Sequence, residues 1–440
     1  MNFGTTNQRI RQVVAAAVFI IPLVYFPFNP NCDYFYNPKV YALTFIVSIY
    51  VFILFKNRNS LDNLIQIDRI NKALFAYFCL ITISLFFAQD IFLALQGGLG
   101  REEGYSTMIM YMLLFLAARK VKIHEEGLFN GILISACIVS VYGILQYYGF
   151  DPIPRDFLRA SWQRSFSTMG NPNFLGSYLV LILPIAMHLF VIRKKALAGF
   201  AFGIVLLCLL STFTRGTWLG GIVSICTYPI ILFLYRDKYP GTLRRVVVIM
   251  VISGIIVLGF NFQTGNLVFS RFASISNNAV DVFTSSELAE KAGANRIFIW
   301  KRVIELITMK PWFGFGIENL AIPFGKMYSA DMTRVFGYTM MVDKAHNEYL
   351  NIAVSSGIPS LFAYVTFIIL IIKKGITRLH NEHSTVPLLS AILGYLVQAF
   401  FNISVVSVAY MFWVFLGLLA GDGSGSENTF SFRYGQGQEP

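Results

Sequence analysis

One apolar run after another, each close to the length that crosses a bilayer, fixes the solvent of this chain before any other feature is read. Crossing about 30 Å of hydrocarbon takes about 20 helical residues. Runs of that order lie near 12–29, 38–55, 73–89, 106–118, 128–148, 174–192, 197–213, 217–235, 246–262, 347–372, 385–400 and 404–420. With 56% of residues apolar and only 13% charged, a soluble domain of this length would aggregate, so the solvent is lipid. The expected fold is an all-α polytopic membrane protein with about 12 transmembrane helices.

Lys and Arg in short loops resist translocation, so their distribution orients the chain. With a cytoplasmic amino terminus, the inside loops carry Arg9 and Arg11; Lys56, Arg58, Arg69 and Lys72; Arg119, Lys120 and Lys122; and Arg193, Lys194 and Lys195. Arg236, Lys238, Arg244 and Arg245 follow, then Lys373, Lys374 and Arg378. The short outer loops "FNPNCDYFYNP" and "FNISVVS" carry no such charge. Both termini are then cytoplasmic, and the segments 90–105, 149–173 and 263–346 lie outside. The expected organisation is nine spans over 1–262, an extracytoplasmic loop over 263–346, three spans over 347–420 and a flexible Gly- and Ser-rich cytoplasmic tail over 421–440.

The net charge of +12 follows from this loop bias, and it gives no reason to expect nucleic acid. The first run has no small-x-small cleavage site behind it and reads as an uncleaved anchor. Cys79, Cys137, Cys208 and Cys226 fall within spans and Cys32 stands alone outside, which argues against a disulfide framework or a metal cluster. Inside the spans ionisable residues are almost absent, His188 being the main exception, whereas an ion-coupled transporter carries such residues near the midplane.

The unusual charges lie in the outer segments: Arg101, Arg155, Arg159, Arg164, Arg215, Arg271, Arg296, Arg302 and Arg334. Arginine grips phosphate with a planar fork of donors and keeps its charge in a poorly hydrated site. For Arg155, Arg159 and Arg271, pairing with lipid head groups is the expected role. Arg215 differs, because "STFTRGTWLGG" leaves it in a tight outer turn against the positive-inside trend. "NRIFIWKRVIELITM" reads as an amphipathic helix lying on the outer leaflet, with Ile297, Trp300, Ile304 and Ile307 on its apolar face and Arg296 beside Trp300. Pro311 stops it and "PWFGFG" supplies a turn. "DKAHNEYLNIAVSSG" then places His346 where a polar segment gives way to the run at 347–372. A capped helix end explains that much. Yet loop charge places Arg215, Arg296 and His346 on one membrane face, where two guanidinium groups suit a diphosphate and a neutral imidazole can take a proton near pH 7.

"TRGTWLG", "NRIFIWKR" followed by "KPWFGFG", and "AHNEYLNIAVSSG" resemble the successive signatures of the O-antigen ligase and polysaccharide polymerase family, and "STMGNPNFLGSYLVLILP" resembles another of its stretches. The resemblance implies a bacterial inner-membrane glycosyltransferase acting on the periplasmic face. Such enzymes transfer a glycan from undecaprenyl pyrophosphate to an acceptor hydroxyl. It implies Arg215 and Arg296 as diphosphate-binding residues, with Arg164 as a weaker candidate, and His346 as general base, supported by Asn347, Tyr349 and Trp300. Asp343 or Glu348 would orient the imidazole, although Glu348 points off its helical face. Direct attack by the acceptor would invert the anomeric centre.

No cofactor is expected, and no Asp-x-Asp element suggests a metal. Without the long additional carboxy-terminal domain of the protein-glycosylating branch, a protein acceptor is not expected. The sequence fits ligases and polymerases equally. A small-anion transporter is the reading from another class.

Overall fold

Where the chain is apolar over a bilayer's width it is helical, since a helix satisfies its own backbone where water cannot. The structure, a computed structural model, describes residues 3–26, 33–56, 68–98, 100–122, 126–151, 153, 164–274 and 295–421. Among the described residues all regular structure is helical: α1 (Phe3–Ile20), α2 (Tyr36–Lys56), α3 (Arg69–Ser84), α4 (Ile91–Gln96), α5 (Tyr105–Ala118), α6 (Glu126–Tyr147), α7 (Pro172–Val191), α8 (Ala196–Ser211), α9 (Arg215–Leu234), α10 (Leu243–Gln263), α11 (Arg296–Met309), α12 (Ala321–Phe336), α13 (Glu348–Ser356), α14 (Ile358–Arg378), α15 (Thr385–Ala399) and α16 (Val406–Ala420). A further helical stretch covers 267–274. Of these, α2, α3 with its continuation to Phe87, α6, α7, α9, α10 and α14 are long and apolar enough to cross a membrane. The helices α5, α8, α15 and α16 are shorter and apolar. Arg155, Arg159, Cys32 and the tail beyond 421 lie outside the described residues.

A helix apolar on every side belongs in the middle of a bundle. That is the place of α16, buried at every residue, and of α7, buried at nearly all of its residues. At the periphery, α10 turns Val247, Val251, Ile255, Leu258 and Phe262 outward. One close crossing is that of α9 on α15. A Cβ on Gly220 would stand 2.7 Å from the Gly394 carbonyl, so only glycine allows the two backbones to meet. This crossing anchors the helix that begins at Arg215.

Three expectations change. The run at 347–372 is two helices, broken at Gly357, whose φ is +89° and where a Cβ would fall 2.0 Å from the Trp312 carbonyl oxygen. The "PWFGFG" turn docks on that break. Phe315 and Gly316 donate their N–H groups to the Val354 and Ser355 carbonyls at 2.9 Å each, and Ile358 donates to the Pro311 carbonyl at 2.8 Å. The turn thereby satisfies the last carbonyls of α13.

The apolar face of α11 is also rotated from the expected one. Phe298, Ile299, Val303, Leu306 and Ile307 are buried, while Ile304 is 51% exposed and Trp300 half-buried. The reason is that α11 packs against α12 and α13 in a second apolar core. Finally, Lys39 at the start of α2 is fully buried, its ammonium donating to the Val24, Phe35 and Thr168 carbonyls at 2.6, 3.3 and 2.6 Å. His188 is therefore not the main exception to the apolar spans.

Candidate active site

Site construction begins at the three-residue turn between α8 and α9. Trp218 Nε1 donates to the Leu209 carbonyl at 3.1 Å, and Phe213, with φ of 48°, donates its N–H to the Leu210 carbonyl at 3.0 Å. Arg215 is the first residue of α9, and the side chain of its N-cap Thr214 makes no capping bond. The 267–274 stretch folds over this turn. Arg271 donates to the Phe213 carbonyl at 2.9 Å with its guanidinium 5.2 Å from the Phe213 ring, and Arg215 Nη1 donates to Ser274 Oγ at 2.9 Å.

Arg296 is likewise the first residue of a helix, α11, whose N-cap Asn295 makes no side-chain capping bond. The positive end of a helix dipole disfavours a cation there and favours an anion. Burial and the nearby charge of Arg215 bring the Arg296 pKa down to about 10, still a full cation at neutral pH. Burial and Arg215 also lower Arg271, and burial and Arg271 lower Arg164. The group therefore runs from Arg164 through Arg271 and Arg215 to Arg296. Among the described residues no carboxylate forms an ion pair with Arg215, Arg271 or Arg296.

His346 continues the row. Burial, then the charges of Arg296 and Arg101, push its imidazole down to about 4 against the opposing pull of Asp343, so it is neutral at pH 7. Its φ of 51° lies in the left-handed region, a conformation that costs an L-residue about 1–2 kcal/mol. Both backbone groups of Ala345 are held, the carbonyl by Trp300 Nε1 at 3.0 Å and the N–H by Asn351 Oδ1 at 3.2 Å. Asn347 caps α13 by accepting from the Leu350 N–H at 3.0 Å. Tyr349 donates to the Leu396 carbonyl at 2.9 Å, tying α13 to α15.

The structure thus brings Arg296 within electrostatic reach of both Arg215 and His346, reaches Arg164 through Arg271, and gives Trp300, Asn347 and Tyr349 framework contacts. Neither carboxylate expected to orient the imidazole bonds to it. Asp343 is gripped by Arg101, at 2.7 and 3.1 Å, and Glu348 accepts from Tyr364 at 3.0 Å. Arg271, expected at head groups, belongs to the arginine row. Arg302 and Arg334 pair with Glu305 and Asp331, so they brace α11 and α12. Arg101 and Lys344 were not singled out as site residues, since their partners are far away in sequence.

An apolar groove of about 730 Å³ runs between α8 and α10, lined by Gly199, Gly203, Leu207, Ile252, Ile256 and Phe260. Tyr148 donating to Gln263 at 2.9 Å bridges one end and Arg245 donating to the Phe190 carbonyl at 3.0 Å bridges the other. The Phe260 ring lies 5.7 Å from that of Phe213, which Arg271 covers. The groove therefore leads to the arginine row.

Residues 198–365 match the family described as O-antigen ligase, a stretch that includes Arg215, Arg296 and His346. A general O-oligosaccharyltransferase of Acinetobacter baylyi is 24% identical over 233 residues, 50% of this chain and 37% of that protein's length. An uncharacterized protein of Haemophilus influenzae is 22% identical over 306 residues, covering 68% of this chain and 72% of its own.

Proposed function

Because this chain is a multi-pass membrane protein of the O-antigen ligase family, we propose that it transfers a glycan from undecaprenyl pyrophosphate to an acceptor hydroxyl on the outer face of the bacterial inner membrane, with inversion and without a metal. What supports this reading is Arg296, at an uncapped helix start, lying within electrostatic reach of both Arg215, at another such start, and the neutral imidazole of His346.

Undecaprenyl pyrophosphate departs readily once its developing charge is held, so the enzyme needs fixed cations at the diphosphate and a base at the acceptor. Arg215 and Arg296 supply the first, with Arg271 and Arg164 adjacent. The acceptor oxygen attacks the anomeric carbon, the bond from that carbon to the diphosphate oxygen breaks with its electron pair, and the hydroxyl proton passes to His346. General-base help of this kind contributes roughly 10² to 10⁴ in rate. An imidazole that burial, Arg296 and Arg101 hold near 4 is a weak base, but a bound diphosphate offsets the charge of Arg296. Donor binding therefore raises the basicity of His346 where the proton is to be taken.

The groove between α8 and α10 suits a polyprenyl tail whose head lies at the arginine row. In this reading arginine supplies the counter-charge to the diphosphate.

The test is purified protein with a lipid-linked glycan donor and an acceptor. Transfer is expected to persist in excess EDTA, and His346→Ala to lose transfer while still binding donor. Loss of activity on chelation, restored by Mg²⁺ or Mn²⁺, overturns the metal-free reading, and full transfer by His346→Ala removes the base.

A further inference from the structure

The segment that presents His346 is moored by buried charge that the transfer chemistry does not use. Lys344 is 3% exposed, paired with the Glu318 carboxylate and 3.7 Å from Glu103 Oε2. Glu103 is itself 1% exposed, and its Oε1 accepts from Tyr111 at 3.0 Å and Ser404 at 3.1 Å. Burial lowers the lysine's pKa, but Glu318 and Glu103 outweigh it and raise it above the ordinary value, so the ammonium stays charged. Both carboxylates stand on braced backbone. Glu103 lies two residues before α5, next to its N-cap Gly104, and Glu318 lies beside Asn319, which exchanges bonds with the Asp90 backbone at 2.7 and 3.1 Å.

His346 has a firm tether on each side: Asn347 capping α13 after it, and Lys344 with the doubly held Ala345 before it. A lone L-residue in the left-handed region relaxes unless its neighbours over-determine it. We propose that Lys344 is a positioning residue, whose ion pairs with Glu318 and Glu103 hold His346 in its left-handed turn with the imidazole beside Arg296. The inference rests on His346 being the base.

A cavity of about 40 Å³ adjoins the ammonium, lined by Glu103, Glu348, Tyr111 and Asn351 among others, with room for water. Removing Lys344 alone would admit water to unpaired carboxylates and unfold more than it tests. The informative variant is therefore Lys344→Met with Glu318→Gln, which removes one charge of each sign.

In that variant kcat for transfer falls at least about tenfold, because small misplacements of a base are costly, while the donor's KM stays within about twofold because the arginines are untouched. The His346 ring, assigned by difference from His346→Ala in ¹³C-histidine NMR, titrates closer to the ordinary value of about 6.5 than in the parent. An unchanged kcat, or a fall in kcat with unchanged titration, overturns the positioning role. Should His346→Ala transfer normally, the base assignment fails and the titration alone decides whether Lys344 holds the ring. If the double variant does not fold, Glu103→Gln, which keeps the Lys344–Glu318 pair, shifts both readouts in the same direction by less; no shift overturns the proposal.

Discussion

Two groups of cations, one at each end of the helical bundle, are treated in opposite ways. At the end away from the site, Arg119, Arg193, Lys195 and Arg378 are neutralised within the protein. Arg119 meets Asp68 at 2.6 Å and Asn71 at 2.6 Å, Arg193 and Lys195 share Glu126 at 3.4 and 3.3 Å, and Arg378 pairs with Glu382 while donating to the Leu418, Leu419 and Gly421 carbonyls. At the site end, burial and the nearby charge of Arg215 lower the pKa values of Arg271 and Arg296, and no described carboxylate pairs with Arg215, Arg271 or Arg296. Neutralised cations hold loops in place, whereas crowded ones suit the anion that the proposed transfer brings. Under that proposal the same residue type serves architecture at one end and ligand binding at the other.

The coarsest way to break this comparison is to show that the ends do not face different compartments. In a background without native cysteines, Met341→Cys, which is 82% exposed at the site end, should react with an impermeant thiol reagent in cells whose outer membrane has been opened. Lys373→Cys at the other end should react only after the inner membrane is broken. The reverse pattern would remove the proposed periplasmic site.

Next in size is the contrast between arginines. Charge-assisted bonds are worth roughly 1.5–3 kcal/mol each, so Arg215→Ala or Arg296→Ala should lower kcat/KM about ten- to hundredfold, with poor rescue by lysine. Arg119→Ala should leave transfer within about twofold and lower only the thermal midpoint, modestly because Asp68 is 33% exposed and partly screened. Equal losses of transfer at both ends would mean that crowding does not mark function.

The smallest effect is in pH. His346 in the free enzyme sits near 4, below its unfolded value of about 6.5, so between these pH values the folded chain binds fewer protons and its stability rises with pH. The acid limb of kcat/KM should accordingly lie near the lower value. The limb of kcat, which reports the donor-bound enzyme, should lie at higher pH. Coincident limbs near 6.5 would mean that the arginine row does not act on the imidazole.

Much of this was legible in advance because lipid imposes strong local rules. The apolar runs, the basic loops and the three signature stretches are local in the chain, and the structure places helices on the runs. What escaped was non-local. Arg101 and Asp343 lie 242 positions apart, and nothing near either announces the other. Lys344 reads as a surface lysine until Glu318 and Glu103 are folded around it, and Lys39 reads as a flank until carbonyls from three segments surround its ammonium. The α11 face was misread because amphipathic periodicity predicts that a stripe will be buried, and α11 is covered from more than one direction. Gly357 and Pro359 did carry a local signal. Read within an apolar run, their punctuation was overridden by hydropathy, though the break separates α13 from the span.

The arginine row also bears on what happens after the chemistry. Until a ligand arrives, its cations repel one another, and that repulsion is released most fully by whichever visitor brings the most negative charge. Under the proposed transfer, that visitor is the spent carrier, because losing the glycan frees a diphosphate oxygen to ionise that had been esterified in the donor. An electrostatic cradle that eases departure of the leaving group therefore also detains it, and turnover comes to depend on how fast the membrane draws the used lipid away.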